Sequence, residues 1–325
     1  MPEISIVMAC HNGERWLAEA IESVLLQTFQ DWELIVVDDG SSDSSGEIIA
    51  KFASREQRIV PITKPHTGLA DSLNWGISRA HGDWVARLDA DDLCEPRRLE
   101  VQLSAVNGDP DVVFLGSAQI QVDQDGREVG RYQYPKEHHL LLHGMLSSGR
   151  FPPHSSALIR LKSFQQCGGY RTRFHRAQDL DLWLRLSEVG KLKAVPDFLV
   201  KHRLHKNQLS HSEGGRLRII YSRAAIISYW LRQKGINEPC SGQEDEFRNF
   251  LDWIGQRLTR DNAWEYLDFV SGLKIRMSQA QSNLAWHRLF VWAVSHPGFL
   301  VRLVGKRYGK DTWPRRAAQA WASEA

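Results

Sequence analysis

The sequence predicts an α/β fold, with a mostly parallel central sheet flanked by helices and a helical region behind it. Two observations predict it. Short β-branched runs alternate with stretches of helical spacing through the first half of the chain, the signature of a parallel sheet. Beyond about residue 212 the strand pattern stops and helical segments take over. A third observation suggests where a ligand binds. Two of the apolar runs end in carboxylates, Asp38-Asp39 and Asp89-Ala90-Asp91-Asp92, and in parallel sheets ligands bind at the carboxyl ends of strands.

The elements follow in order. "ISIVMAC" (4–10) reads as a buried strand. After the turn "HNGE", Leu17, Ile21, Val24 and Leu25 recur at helical spacing. "ELIVVDD" is a second strand, and "GSSDSSG" leads to a helix around Glu47 to Ala53. "IVPIT" is a third strand, "GLADSLNWGISRA" a helix and "DWVARLD" a fourth strand. A helix near Pro96 to Val106 precedes a strand in "VVFLGSAQIQVD". Helical segments then alternate with short strands to about Ser212. From Glu213 onward helices are separated by "NEPCSGQ" and "SHPG".

Composition excludes several classes. The net charge of +2 is too small for nucleic-acid binding by the whole chain. The four cysteines are far apart with no CxxC pair, which argues against a zinc ribbon or disulfide framework and fits a reducing compartment. "MPEISIVMAC" lacks a basic n-region and is not expected to be a signal peptide. No apolar run approaches the roughly 20 residues that span a bilayer.

Asp38-Asp39-Gly40-Ser41 reads equally well as a turn. Asp89, Asp91 and Asp92 are harder to explain as a helix cap, since one Asp suffices for that and like charges in one place are costly without a cation. A divalent-metal site explains them. Mg²⁺ and Mn²⁺ take oxygen ligands, often one or two carboxylates plus substrate phosphates. Each carboxylate 5 Å from a phosphate charge would otherwise cost about 3 kcal/mol at an effective dielectric of 20. A dinucleotide-binding domain is disfavoured, because the first turn, "CHNGE", has no GxGxxG.

With these residues assembled, the chain resembles the family-2 glycosyltransferases of the GT-A fold over about residues 1–212. "SIVMACHNGERWLAEAIESVLLQTFQDWELIVVDDGSSD" resembles the family's opening block. "GLADSLNWGI" with "GDWVARLDADD" resembles its second, and "FPPHSSALIR", "CGGYRTRF", "AQDLDLWLRL" and "RLHKNQLS" its third. The resemblance implies a catalytic domain over 1–212, with a nucleotide-binding half to about 123 and an acceptor half from 124. It implies an enzyme that moves a sugar from a nucleotide diphosphate to an acceptor hydroxyl, usually with inversion, in the building of a bacterial-type surface glycan.

Carried over by position, Asp39 would bond the nucleotide base, typically uracil. Ala9 would line the nucleotide pocket, Asp89 would face the ribose, and Asp91 would hold Mn²⁺ or Mg²⁺ on the diphosphate. His205 stands where many such enzymes contribute to metal or diphosphate binding. Asn74 and Gly68 belong to the segment before the metal loop, with Asn74 on the nucleotide side. Asp92 would support the loop or cap the next helix. Asp179 would be the catalytic base, with Asp181 a weaker candidate. Gln178 departs from the family's usual Glu, and with His154 and Gly169 belongs to the acceptor side. Arg203 and Lys206 could pair with phosphate, though exposed charges are usually only solvated.

The resemblance gives little beyond residue 212. "LAWHRLFVWAVSHPGFLVRLVGKRYGKDTWPRRAAQAW" mixes aromatic and basic residues, which suits an anionic membrane surface at the cytoplasmic face and a lipid-linked acceptor. The alternative is that its apolar residues pack on the catalytic domain. Two further readings stay open. A nucleotidyltransferase would often carry a glycine-rich basic loop after its first strand, which "CHNGERW" is not. A degenerate sugar-nucleotide-binding subunit is favoured only by Gln178.

Overall fold

Unbroken apolar, β-branched runs need burial on both faces, and the sheet supplies it. In the computed structural model, which describes residues 1–147, 149–205, 208, 215–261 and 312–324, β1 (Ile4–Cys10) and β2 (Trp32–Asp39) are buried at every position. They pair in parallel with each other, β2 pairs with β3 (Ile59–Lys64) and β1 with β4 (Trp84–Arg87), both also parallel. All four carboxyl ends therefore open on one edge. The register sets Cys10 beside Asp38 and Asp39 beside Lys64.

Helices α1 (Leu17–Leu25), α2 (Ser45–Ala53) and α3 (Leu69–Ile77) link these strands. Leu17, Ile21 and Val24 on α1 are fully buried. Each such side chain contributes about 1.5–3 kcal/mol by leaving water. Gly76 of α3 lets that helix seat closely, since a Cβ there would lie 2.7 Å from Val7.

The other half of the sheet is mixed. β5 is the two-residue strand Leu93–Cys94 and α4 spans Arg98–Val106. β6 (Val112–Val122) pairs antiparallel with β7 (Glu128–Tyr132) and with β8 (Leu158–Arg160), and β8 pairs antiparallel with β4. β9 (Lys191–Arg203) runs parallel to β6, and β5 pairs antiparallel with β9. The order is β3-β2-β1-β4-β8-β6-β9-β5, with β7 on β6. α5 (His138–Ser147), a 3₁₀ turn at His154–Ser156, α6 (Leu161–Gln166) and α7 (Gln178–Leu186) complete this half. The expectation of short strands up to residue 212 is corrected by β9, whose 13 residues carry Pro196 and pair with β6 through register shifts.

Residues divide into two compact units, Met1–Glu213 and Gly214–Ala325. In the second, α8 (Gly215–Arg232), α9 (Glu244–Arg260) and α10 (Thr312–Glu324) are helical. Phe247, Phe250, Ile254 and Leu258 make the buried stripe of α9. Trp321 of α10 packs on Phe250 and Trp253, with ring centroids 4.8 and 5.2 Å away. Ala317 and Ala318 are buried too, so the described part of the basic tail turns its apolar side inward within its unit. The rest of that segment, with "SHPG", Arg302, Lys306, Arg307 and Lys310, lies outside the described residues, as does Lys206.

Candidate active site

Asp39 ends β2 and is 3% exposed. Its Oδ1 accepts from Lys64 Nζ at 2.8 Å and from the Thr67 amide at 2.9 Å. Its Oδ2 accepts from the Gly68 amide at 2.8 Å and lies 3.0 Å from His66 Nδ1. Burial alone would raise its pKa, but the bonds from Lys64, Thr67, Ser72 and Gly68 outweigh that and hold the carboxyl well below the usual range. Asp38 closes the turn itself, accepting from the Ser41 amide at 2.9 Å. Gly40 must be glycine, with φ +70° and room for no Cβ against the His66 amide, 2.7 Å away. Ala9 is buried next to this edge. The rings of His11 and His66 stack 4.0 Å apart over the same turn.

The second acid cluster follows β4. Arg87 is fully buried and pairs with Asp89 Oδ1. Ser155 Oγ is 2.8 Å from Asp89 Oδ2 and also bonded to Asp92 Oδ2. One hydroxyl proton cannot serve both carboxylates. Burial pushes the Asp92 carboxyl up to about 7, against the pull of His202 and with the repulsion of Asp91 and Asp89, so Asp92 can hold a proton and donate it. Asp89 goes the other way: burial would raise it, but Arg87, His154 and Ser155 hold it low. Asp92 also accepts from the Arg203 amide at 2.8 Å. It supports the loop and does not cap α4, whose N-cap position is Arg97.

Asp91 stays partly exposed, and its Oδ2 lies 2.8 Å from His205 Nε2. Trp16, from the first turn, stacks against His205 with centroids 4.2 Å apart. Arg203 corrects the sequence reading of a solvated charge. It is 2% exposed and bonds the Asp91 carbonyl (2.9 Å), the Gln124 carbonyl (3.2 Å) and Glu19 (2.8 Å).

A divalent cation fits Asp91 and His205, which offer one oxygen and one nitrogen donor side by side. Among the described residues no group of three or more His, Cys, Asp or Glu encloses a metal.

Asp179 is the second residue of α7 and half-buried. Its Oδ1 accepts from the Leu180 amide at 2.8 Å. Gln178 opens the helix behind Ala177, which holds φ +55°, a conformation rare for a residue with a Cβ. Asp181 is not a free carboxylate. It is 1% exposed and paired with Arg185 (2.6 Å) and Arg171 (3.3 Å). His154 Nε2 lies 2.6 Å from the Tyr170 hydroxyl, and its ring meets Trp183 of α7 edge-on. Burial and the Arg87 charge lower His154 to about 3, so it is neutral near pH 7. Asn74 clasps Tyr170 from α3, accepting from its amide at 2.9 Å and donating to its carbonyl at 2.7 Å. Gly169, at φ +69°, makes room for that clasp, since a Cβ would lie 2.8 Å from Asn74 Oδ1.

The structure thus brings Asp91 to His205, and Asp89 to Asp92. It gives Asn74 and Gly169 a shared structural task that sequence reading did not assign. Sequence reading also missed Arg87, Ser155, Trp16 and Tyr170. The one signal available was Arg87, a lone cation before three acids.

The profile described as Glycosyl transferase family 2 matches residues 5–168. The chain belongs to glycosyl transferase family 2. The Bacillus subtilis (strain 168) glycosyltransferase named EpsE is 35% identical over 195 residues, 58% of this family-2 chain and 68% of that protein. Among solved structures, S. aureus TarS 1-349 in complex with UDP-GlcNAc aligns with a TM-score of 0.60 at 16% identity, covering 79% of this chain and 72% of that one. The mannosyltransferase PcManGT from Pyrobaculum calidifontis, in complex with GDP-Man and Mn²⁺, aligns with a TM-score of 0.55 at 17% identity, covering 98% and 86%. At these identities the structural likeness carries the fold, which is the GT-A fold.

Proposed function

We propose that this glycosyltransferase is metal-dependent and inverting. It moves a sugar from a nucleotide diphosphate, UDP favoured, to an acceptor hydroxyl on a glycan or lipid-linked glycan. The observation that carries the reading is the meeting of Asp91 and His205 at 2.8 Å, from positions 114 residues apart, beside a strand-end edge lined with acids. The sugar nucleotides in the TarS and PcManGT structures, and the Mn²⁺ in the latter, support the donor class and the ion.

Asp39 and Ala9 border the pocket for the base, and Asp89 faces the ribose. Asp39 also fixes the 64–68 loop that walls this pocket. Asp91 and His205 would hold Mn²⁺ or Mg²⁺. Bound there, the ion supplies positive charge that offsets the diphosphate as it departs. Asp179 takes the proton from the acceptor hydroxyl as that oxygen attacks the anomeric carbon from the opposite face. Its place in the first turn of α7 favours the ionised form. His154, Gly169 and Gln178 shape the acceptor side. The proposed setting is cytoplasmic, at the inner membrane face where the acceptor is lipid-linked. No helix among the described residues is long and apolar enough to cross a membrane.

The test is Asp179→Asn. Nucleotide affinity should be kept while turnover falls by roughly 10²- to 10⁴-fold, the span of general-base catalysis. Wild-type turnover in the variant would remove Asp179 from the mechanism.

A further inference from the structure

A histidine that ligates a metal usually donates the N–H of its other ring nitrogen to a carboxylate, a carbonyl or water. That bond fixes the orientation of the ring. His205 has no such bond. Its Nε2 faces Asp91 Oδ2 at 2.8 Å, while its Nδ1 is buried and has no hydrogen-bond partner among the described residues. One bond places Nε2 but leaves the tilt of the imidazole to its packing.

The packing is supplied by Trp16. The two ring centroids are 4.2 Å apart, with the ring planes 38° from parallel. Trp16 is itself firmly held. It is 9% exposed, its amide donates to the Gly13 carbonyl at 3.1 Å, and its own carbonyl accepts from the Ala20 amide at 3.0 Å. Its Nε1 donates to the Gln124 carbonyl at 3.3 Å. The same carbonyl accepts from Arg203 Nη1, and Arg203 Nε donates to the Asp91 carbonyl. One acceptor thus ties the indole to the arginine that holds the Asp91 backbone, two residues before His205.

The local rules of helix capping do not explain a tryptophan here. Trp16 occupies the N-cap position of α1 and makes no side-chain cap bond, where Ser, Thr, Asp or Asn is the usual residue. The indole goes to His205 and Gln124 instead.

We propose that Trp16 is a positioning residue for the metal: it sets the tilt of the His205 ring so that Nε2 is aimed at a cation held beside Asp91. The proposal deepens the functional reading above and rests on Asp91 and His205 holding that cation. The Nε2 lone pair lies in the ring plane, so a tilted imidazole points it away from the ion. Indole N–H is a donor only, so Trp16 ligates nothing and acts through His205. A purely structural Trp16 would weaken metal binding in every background. A positioning Trp16 weakens it only while His205 is present.

The test is a double-mutant cycle on the full chain. Mn²⁺ is titrated with UDP present, and the free ion is read by electron paramagnetic resonance. Trp16→Leu should weaken Mn²⁺ binding by about tenfold, the lower end of the span for groups that orient a metal ligand. His205→Ala should weaken it at least as much, and adding Trp16→Leu to it should then change the affinity by less than about twofold. Trp16→Phe, which keeps a ring without the N–H, should recover most of the affinity lost in Trp16→Leu. The wild type gives a second readout that needs no folded variant. A nuclear Overhauser contact between the Trp16 and His205 ring protons should persist when Mg²⁺ and UDP are added, and its disappearance would overturn the proposal. Wild-type affinity in Trp16→Leu, or an equal loss with and without His205, would overturn it too. Unchanged Mn²⁺ binding in His205→Ala would remove the metal reading and this proposal with it. A loss in His205→Ala with none in Trp16→Leu would remove the proposal alone.

Discussion

The two acid clusters sit on one edge of one sheet, yet their charges are treated in opposite ways. Asp39 meets four nitrogens: Lys64, the Thr67 and Gly68 amides, and His66. Its carboxyl is held low and buried. The loop after β4 gathers three carboxylates with Arg87 paired to Asp89, and Ser155 divides one proton between Asp89 and Asp92. Arg203 is close by, but its guanidinium goes to carbonyls and to Glu19. The first cluster is satisfied by the protein. In the second, burial, with the repulsion of Asp91 and Asp89 added to it, pushes Asp92 up to about 7. Identical residue types at equivalent strand ends thus have different surroundings: one builds a wall, and the other is the cluster proposed to hold a cation.

The comparison can be broken by substitution. The largest effect is expected at the first cluster. Asp39→Asn leaves the buried Lys64 with Asp71 as its remaining carboxylate, 3.1 Å away, and removes the charge that the Thr67 and Gly68 amides face; it should cost about 3 kcal/mol of stability with or without Mn²⁺, read by urea unfolding. A loss under about 1 kcal/mol would mean that the Lys64 pair is not holding the wall.

Ser155→Ala should cost less, about 1–3 kcal/mol, since it removes one buried donor from two carboxylates. Equal stability would show that the two acids are relieved some other way.

The pH dependence sharpens the contrast at the same site. The folded pKa of Asp39 lies below its unfolded value of about 3.9. Its contribution is therefore complete above about pH 4 and is lost as pH falls through the folded value. Unfolding free energies between about pH 5 and 2 should fall more steeply for the wild type than for Asp39→Asn. Parallel curves would contradict the assignment.

The smallest effect is expected at the second cluster. Asp91→Ala in metal-free protein should change stability by no more than about 0.5 kcal/mol, or raise it, because it removes one of three crowded carboxylates. A loss as large as that of Asp39→Asn would erase the distinction.

The legible parts of this molecule were those set by local pattern. β1, β2 and α1 follow from unbroken or periodic apolar residues, and the acids were visible because they end such runs. What escaped was non-local or ran against the usual habits of residues. Arg87, Arg98 and Arg203 are buried, although arginine is normally exposed. Leu93–Cys94 is too short to show a period. The Asn74 clasp on Tyr170 joins residues 96 apart, and nothing in either segment announces the other. Asp91 and His205 were paired by resemblance, and only the register of β9 explains the distance between them.

The most direct test is calorimetric titration of UDP into the protein with Mn²⁺ and with EDTA, for the wild type and Asp91→Ala. The account predicts at least tenfold tighter binding with Mn²⁺ in the wild type, and no gain from Mn²⁺ in Asp91→Ala. Equal affinity of the wild type for UDP in Mn²⁺ and EDTA would contradict the claim that the second acid cluster recruits a cation.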